Sequence, residues 1–288
     1  MQESFNSNYK LRTVNSINIQ GTIIDFDQPK VMGILNVTPD SFFSGSRVQE
    51  IDLLQERASQ MLHEGATFLD IGGYSSRPGA TDIPVEEELN RVLEPIRLIA
   101  NTFPDAVISI DTFRAEVARQ AVGAGAHMVN DISGGQLDDQ MYATVGELKV
   151  PYIGMHMKGT PQTMKQLAQY DDLLKEVMSF FSRMQEKLHD YGVQDIIFDP
   201  GFGFAKNIDQ NFQLLRSLSY FQNLEKPLLV GLSRKSMIHK TLKISAEESL
   251  NGTTVLNTIA LMSGASILRV HDVREAKEAI HLTEKVKK

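Results

Sequence analysis

Eight short apolar runs, each closed by a polar cluster, restrict the fold of this chain more than any other feature. They occupy residues 31–35, 68–71, 107–110, 128–129, 152–155, 196–198, 228–230 and 267–270. Each is brief and rich in Ile, Leu and Val, as expected of parallel strands covered on both faces. Longer stretches of helical periodicity separate them. Residues 85–100 put Val85, Leu89, Val92, Leu93, Ile96 and Ile99 on one face. Residues 171–189 do so with Leu173, Leu174, Val177, Phe180, Phe181, Met184 and Leu188. Strand and helix in alternation predict right-handed βαβ units, and eight repeats predict a closed (β/α)8 TIM barrel, although periodicity alone also fits an open doubly wound sheet.

Before the first repeat, Val14, Ile17, Ile19, Ile23 and Phe26 with Gly21 between them predict an N-terminal β-hairpin within residues 11–28. Such a hairpin would plug the bottom of the barrel. No linker or composition break appears, so one domain is expected over residues 1–288, with 1–30 as an extension carrying the hairpin. Length alone does not decide this, because α/β barrels commonly run to about 250 residues as one unit.

The polar residues that end the runs are, in order, Asn36, Asp70, Asp111, Asn130-Asp131, His156, Asp199, Ser233-Arg234-Lys235, and Arg269 with His271. In a barrel of this kind the C-terminal strand ends face the active site. Asp and Asn at such positions can also cap the following helix. Arg, Lys and His do not cap helix N-termini, so capping cannot account for the whole set. The net charge of −7 disfavours general nucleic-acid binding. An acidic chain can still take an anionic substrate if its cations are gathered locally, as Arg77, Arg234, Lys235, Arg269 and His271 are along the sequence. No cysteine is present, which removes disulfides, thiolate metal sites and cysteine nucleophiles and fits a reducing cytoplasm. Residues 1–10 are polar, unlike a secretory signal, and no run of 18 apolar residues occurs, so no membrane span is expected.

The strand-end motifs are Asn36-Val37-Thr38-Pro39-Asp40-Ser41-Phe42, Gly72-Gly73-Tyr74-Ser75-Ser76-Arg77-Pro78-Gly79 and Ile110-Asp111-Thr112. They continue with Asn130-Asp131-Ile132-Ser133-Gly134-Gly135, Met155-His156-Met157, Asp199-Pro200-Gly201-Phe202-Gly203-Phe204, Gly231-Leu232-Ser233-Arg234-Lys235 and Arg269-Val270-His271-Asp272. In this order and at barrel-repeat spacing, they resemble the dihydropteroate synthase family from about residue 31 to residue 273. The resemblance implies condensation of 6-hydroxymethyl-7,8-dihydropterin pyrophosphate with p-aminobenzoate in folate biosynthesis. A flat pterin with mixed donors and acceptors needs a carboxylate and an amide in a buried slot, and Asp199 and Asn130 are of those types. By resemblance Asp111 and Lys235 join them in the pterin pocket.

The same resemblance gives the pyrophosphate to Asn36, Arg77, Arg269 and His271, with Asn36 helping to hold Mg²⁺. Because Mg²⁺ keeps several waters and leans on substrate phosphates, no dense carboxylate cluster is expected. It gives p-aminobenzoate to Ser76, Pro78, Phe204, Ser233 and Lys235, and the catalytic set is Asp111, Lys235, Arg269 and Asn36. Asp111 would stabilise positive charge at the pterin methylene, with neither a nucleophilic triad nor a covalent enzyme intermediate. A homodimer through the late apolar stretch 247–263 is also implied.

Departures from the family pattern cluster on the p-aminobenzoate side. Ser76 replaces a common Thr, Tyr74 a common Glu, and Ala205 a frequent Gly, while the first loop has Ser44-Gly45-Ser46 without a common Asp. These put sulfonamide sensitivity and aryl-amine affinity in doubt more than reaction type. A pterin-binding methyltransferase would share Asp111, Asn130 and Asp199 but would not need the pyrophosphate cations. A catalytically silent pterin binder is the other alternative.

Overall fold

The computed structural model describes residues 15–37, 47–77 and 79–287. Thr38 to Ser46 and Pro78, which include much of the first loop, lie outside the described residues.

The chain opens with an antiparallel hairpin, β1 (Ser16–Ile19) and β2 (Thr22–Asp25). Its two-residue turn puts Gln20 at φ 49° and Gly21 at φ 94°, and Asn18 Oδ1 accepts from Gly21 N at 2.7 Å. Positive φ at both central positions matches the twist of a tight hairpin, and the second of them is glycine.

Eight parallel strands follow: β3 (Lys30–Asn36), β4 (Phe68–Gly72), β5 (Val107–Asp111), β6 (Met128–Asp131), β7 (Tyr152–Met155), β8 (Ile196–Asp199), β9 (Leu229–Val230) and β10 (Ile267–Val270). They pair in the order β8-β7-β6-β5-β4-β3-β10-β9, and the parallel bridge Phe198–Leu228 brings the two end strands together. Around them lie α1 (Arg47–His63), α2 (Val85–Thr102), α3 (Ala115–Gly123), α4 (Met141–Leu148), α5 (Leu173–Asp190), α6 (Ile208–Arg216), α7 (Ser236–Leu242), α8 (Leu250–Met262) and α9 (Val273–Lys287). This is the (β/α)8 barrel expected from the repeat. The apolar stretch 247–263 resolves into a 3₁₀ turn, Glu247–Ser249, followed by α8.

Strand side chains alternate between the two faces of the barrel wall. Residues such as Leu35, Ile71, Ile110, Val129 and Phe198 point outward and meet Val92, Ile96, Val177 and Phe181 from the helices in one buried cluster. Met32, Phe68, Met128, Ile153, Ile197, Leu229 and Ile267 point inward and form a second cluster together with Ile17, Ile19 and Phe26. The hairpin therefore closes the N-terminal end of the barrel with apolar side chains. Each fully buried one contributes about 1.5–3 kcal/mol by leaving water. That floor keeps the interior dry, and the next inward positions carry the polar residues.

Candidate active site

Two residues beyond the floor, the inward position of β4 is Asp70 and that of β10 is Arg269. One more step on β5 gives Asp111, while β6 and β8 present Asn130 and Asp199. Arg269 Nε donates to Asp70 Oδ2 at 2.6 Å, and its NH2 donates to Asp111 Oδ2 at 2.7 Å. Asn130 Nδ2 donates to the same Asp70 oxygen at 2.9 Å. Two carboxylates, a guanidinium and an amide thus form one network at the barrel centre. Asp70 is fully buried and its Oδ1 has no partner.

Burial governs the charges here. It pushes Asp111 up to about 7 from an ordinary 3.8, with Arg269 pulling the other way. Burial also works against the charge on Arg269, but Asp70 and Asp111 outweigh it and hold the guanidinium firmly protonated. Asp199 is raised by burial and eased by Lys235, and Lys235 is lowered by burial to about 8.

Asp199 Oδ1 accepts from Gly201 N at 2.7 Å, which turns the chain sharply after β8. Gly201 has φ 72°, and a Cβ there would lie 2.1 Å from His156 O, so only glycine fits. Lys235 reaches over this turn, donates to Phe202 O, and sits 4.9 Å above the Phe204 ring. Its ammonium therefore bonds the loop rather than Asp199 directly.

At the rim, Ser233 Oγ accepts from His271 N at 3.2 Å and lies 3.0 Å from His271 Nδ1. Burial, reinforced by Arg269, lowers His271 to about 4, so the ring is neutral near pH 7. With Nδ1 accepting from the serine hydroxyl, the ring proton sits on Nε2, which is then a donor. His271 therefore joins the set as a neutral hydrogen-bond donor and not as a cation. Asn36 and His271 open onto a cavity of about 430 Å³ shared with Glu56, Arg57 and Gln60 of α1. Ser76 is half-buried and Arg77 exposed on the loop after β4, while Pro78 lies outside the described residues.

Arg234, counted among the local cations, is engaged elsewhere. Its Nε and NH2 bind both oxygens of Asp272 at 3.0 and 2.8 Å, and its NH1 donates to Glu247 O at 2.9 Å. Asp131 points away from the barrel axis and accepts from Ser133 N and Oγ, Gly135 N and Tyr152 Oη, a loop-holding role.

Asp70 was not among the assigned site residues. The signal was in the sequence: a carboxylate inside an otherwise apolar buried strand requires a partner. Lys206 was also missed. It is buried, its Nζ lies 3.1 Å from His156 Nδ1, and it donates to Gly201 O at 3.0 Å and Phe204 O at 3.1 Å. Burial lowers Lys206 to about 7 and His156 to about 2. The pair fastens the Gly201–Phe204 turn from below.

Comparison with known proteins bears on this site. A family model described as pterin binding enzyme matches residues 32–271. The dihydropteroate synthase of Escherichia coli (strain K12) is 43% identical over 267 residues, covering 92% of this chain and 94% of that one. The crystal structure of the Yersinia pestis dihydropteroate synthase with a sulfonamide drug complex superposes with a TM-score of 0.89 at 40% identity, covering 94% of this chain and 99% of that one. The Xanthomonas albilineans dihydropteroate synthase with 4-aminobenzoic acid gives 0.87 at 38% identity, covering 95% and 98%.

Proposed function

The chain belongs to the dihydropteroate synthase family of pterin-binding enzymes, and we infer from that premise and from its site that it joins 6-hydroxymethyl-7,8-dihydropterin pyrophosphate to p-aminobenzoate, releasing pyrophosphate in folate biosynthesis. The observation that carries the assignment of roles is the depth ordering of the barrel interior. An apolar floor lies below one network of carboxylates, an amide and the Arg269 guanidinium, and the Ser233–His271 pair lies at the rim above it.

Asn130 Nδ2 is taken by Asp70, which fixes the amide orientation and turns its Oδ1 toward a pterin N–H. Asp199, with one oxygen held by Gly201 N, offers the other to the amino and ring N–H donors. Lys235 donates to the ring from the opposite side. Arg269, Arg77 and the Nε2–H of His271 receive the pyrophosphate, Arg269 by the guanidinium N–H groups that Asp70 and Asp111 do not take.

In the reaction the methylene C–O bond breaks and its electron pair leaves with pyrophosphate. Positive charge develops on the pterin methylene, and Asp111 as carboxylate stabilises it from a fixed position. The aryl amine then supplies its lone pair to form the C–N bond and loses a proton to solvent. Ser76, Ser233 and Phe204 line the aryl-amine side, with Pro78 assigned there by resemblance. Sulfonamides, one of which occupies the Yersinia pestis structure, would compete on that side.

Mg²⁺ fits the donor set at the rim. Among the described residues no cluster of three His, Cys, Asp or Glu is found, yet a hard oxygen from Asn36 with Glu56 nearby suits an ion that otherwise binds water and phosphate. Asn36 would hold it, and when bound it would neutralise charge on the leaving pyrophosphate.

A homodimer is proposed with this reading. Val255, Ile259 and Met262 on α8 and Leu282 and Val286 on α9 are all exposed, an apolar surface suited to a second copy. Among the described residues no helix is long and apolar enough to cross a membrane. A cytoplasmic location is proposed on the cysteine-free composition.

The test is to incubate the protein with both substrates, with and without Mg²⁺, and to follow pyrophosphate and dihydropteroate together. Mg²⁺-dependent product, absent in Asp199→Ala, is expected. Pterin pyrophosphate binding without product would mean a silent relative, and the absence of both product and binding would refute the reading.

A further inference from the structure

Tyr74, the second residue after β4, has no role in the chemistry above, yet three barrel loops converge on it. Its ring is buried and stands edge-on to Phe113 of the β5 loop, with centroids 4.9 Å apart. The guanidinium of Arg114 lies 5.2 Å from both ring centroids. From the β7 loop, Gln162 Nε2 donates to Tyr74 Oη at 3.0 Å and to Ala80 O at 3.0 Å. One side-chain amide therefore ties the residue just before the segment 75–79 to the residue just after it. Nearby, Gly79 N donates to Pro161 O at 3.3 Å.

The partners of this tie are themselves fixed. Gln162 is presented by a turn in which Thr160 N donates to Thr163 Oγ1 at 3.0 Å and Thr163 N to Thr160 O at 3.0 Å. Gly159 before it has φ 73°, and a Cβ there would fall 2.6 Å from Thr163 Oγ1, so the turn has one shape. Burial raises the pKa of the Tyr74 hydroxyl and the bond from Gln162 lowers it, while Asp82, on the other side, raises it further. Arg114 donates to Asp82 at 3.0 Å, to Ile83 O at 2.6 Å and to the fully buried Glu88 at 2.8 Å, where Thr112 also donates at 2.7 Å. The clamp thus runs from the outer loop to a buried carboxylate in α2, and Thr112 directly follows Asp111.

We propose that Tyr74 and Gln162 are positioning residues that hold the base of the segment 75–79, and with it Ser76, in the geometry that receives the aryl amine. Neither touches substrate, and both act through the backbone that carries Ser76. The inference rests on the proposed reaction. It predicts a larger effect on p-aminobenzoate than on the pterin pyrophosphate, because the segment gives the latter only Arg77 while the pterin layer of Asp70, Asn130 and Asp199 is bonded independently of the clamp.

The experiment uses the full chain with Tyr74→Phe, Gln162→Ala and both together. KM for p-aminobenzoate, kcat and the affinity for pterin pyrophosphate are read for each. Loss of one hydrogen bond of this kind is expected to raise KM for p-aminobenzoate about three- to tenfold. The unaltered chain's kcat should be kept, and pterin pyrophosphate affinity should fall by clearly less than KM for p-aminobenzoate rises. The double variant should match Gln162→Ala, because both changes cut the same link. An unchanged KM, multiplying effects, or an equal loss of pterin pyrophosphate affinity would overturn the inference. An unaltered chain that turns over nothing would instead overturn the proposed reaction on which it rests.

Discussion

Arg269 and Asp70 are 199 residues apart in sequence, and their side chains meet at 2.6 Å in the barrel centre. The same Asp70 oxygen fixes the amide of Asn130, so one buried carboxylate orients both a residue proposed to bind the pyrophosphate and one proposed to bind the pterin. Its removal should be felt twice. Asp70→Ala is expected to cost about 3–5 kcal/mol, because it leaves a buried cation short of a partner. Urea unfolding monitored by circular dichroism measures that loss. Calorimetric titration with pterin pyrophosphate should show a parallel drop in affinity.

The site titrates over a narrow interval. Asp111 must be ionised to stabilise positive charge and is raised to about 7, while Lys235 must be protonated to donate and is lowered to about 8. The pH profile of kcat/KM for pterin pyrophosphate should therefore be a narrow bell, rising through the first value and falling past the second. Because these groups interact, both limbs report the cluster rather than single residues. For stability the signs are opposite to those of ordinary ion pairs. The raised Asp111 favours the folded state below its unfolded value of 3.8, and this contribution is lost as pH rises through about 7. The lowered Lys235 favours folding above 10.5, and that contribution is lost as pH falls through about 8. Asp111→Asn should abolish the acidic limb.

Arg234 gives a contrasting case. Its fork is filled by Asp272 and Glu247 O, so Arg234→Lys should lower stability by about 1 kcal/mol through loss of the bidentate geometry. Pterin pyrophosphate affinity should barely move, whereas Arg269→Lys should reduce it strongly. Parallel denaturation and titration of the two variants separate these roles.

Ala205 adopts φ 47°, a left-handed conformation that costs a residue with a Cβ about 1–2 kcal/mol relative to glycine. Ala205→Gly should recover about 1 kcal/mol of that strain, less the entropy that glycine loses on folding. The bond from Tyr170 Oη to Ala205 O, at 2.9 Å, involves only backbone at this position and should survive. A rise in Tm without a change in kcat would bear this out.

The barrel was legible because its strands are apolar runs with polar ends, and each of the eight runs appears in the structure as a strand within a residue or two of its expected bounds. The hairpin was legible for the same reason, since alternation and Gly21 leave few options. The inward facing of Asp111, Asn130, Asp199 and Arg269 follows from strand period and was available too. Pairing between strands was not. That Asp70 bonds Arg269, that Lys206 lies beneath the Gly201 turn, and that Arg234 turns back to Asp272 all depend on which loops approach in space. Glu88 teaches the same lesson: a carboxylate on the apolar face of its helix is held buried because Arg114 and Thr112 come to it from another repeat.

The strand that carries the chain toward Lys235 has only two residues, Leu229–Val230, and a lone bridge, Phe198–Leu228, joins it to the strand that ends at Asp199. The barrel wall is thus thinnest between the two groups proposed to grip the pterin from opposite sides. A ligand bound to both would span the seam from above, as a stave hoop closes a cask. Substrate occupancy and resistance to unfolding would then rise together, with the gap at β8 and β9 as the place where the free protein breathes.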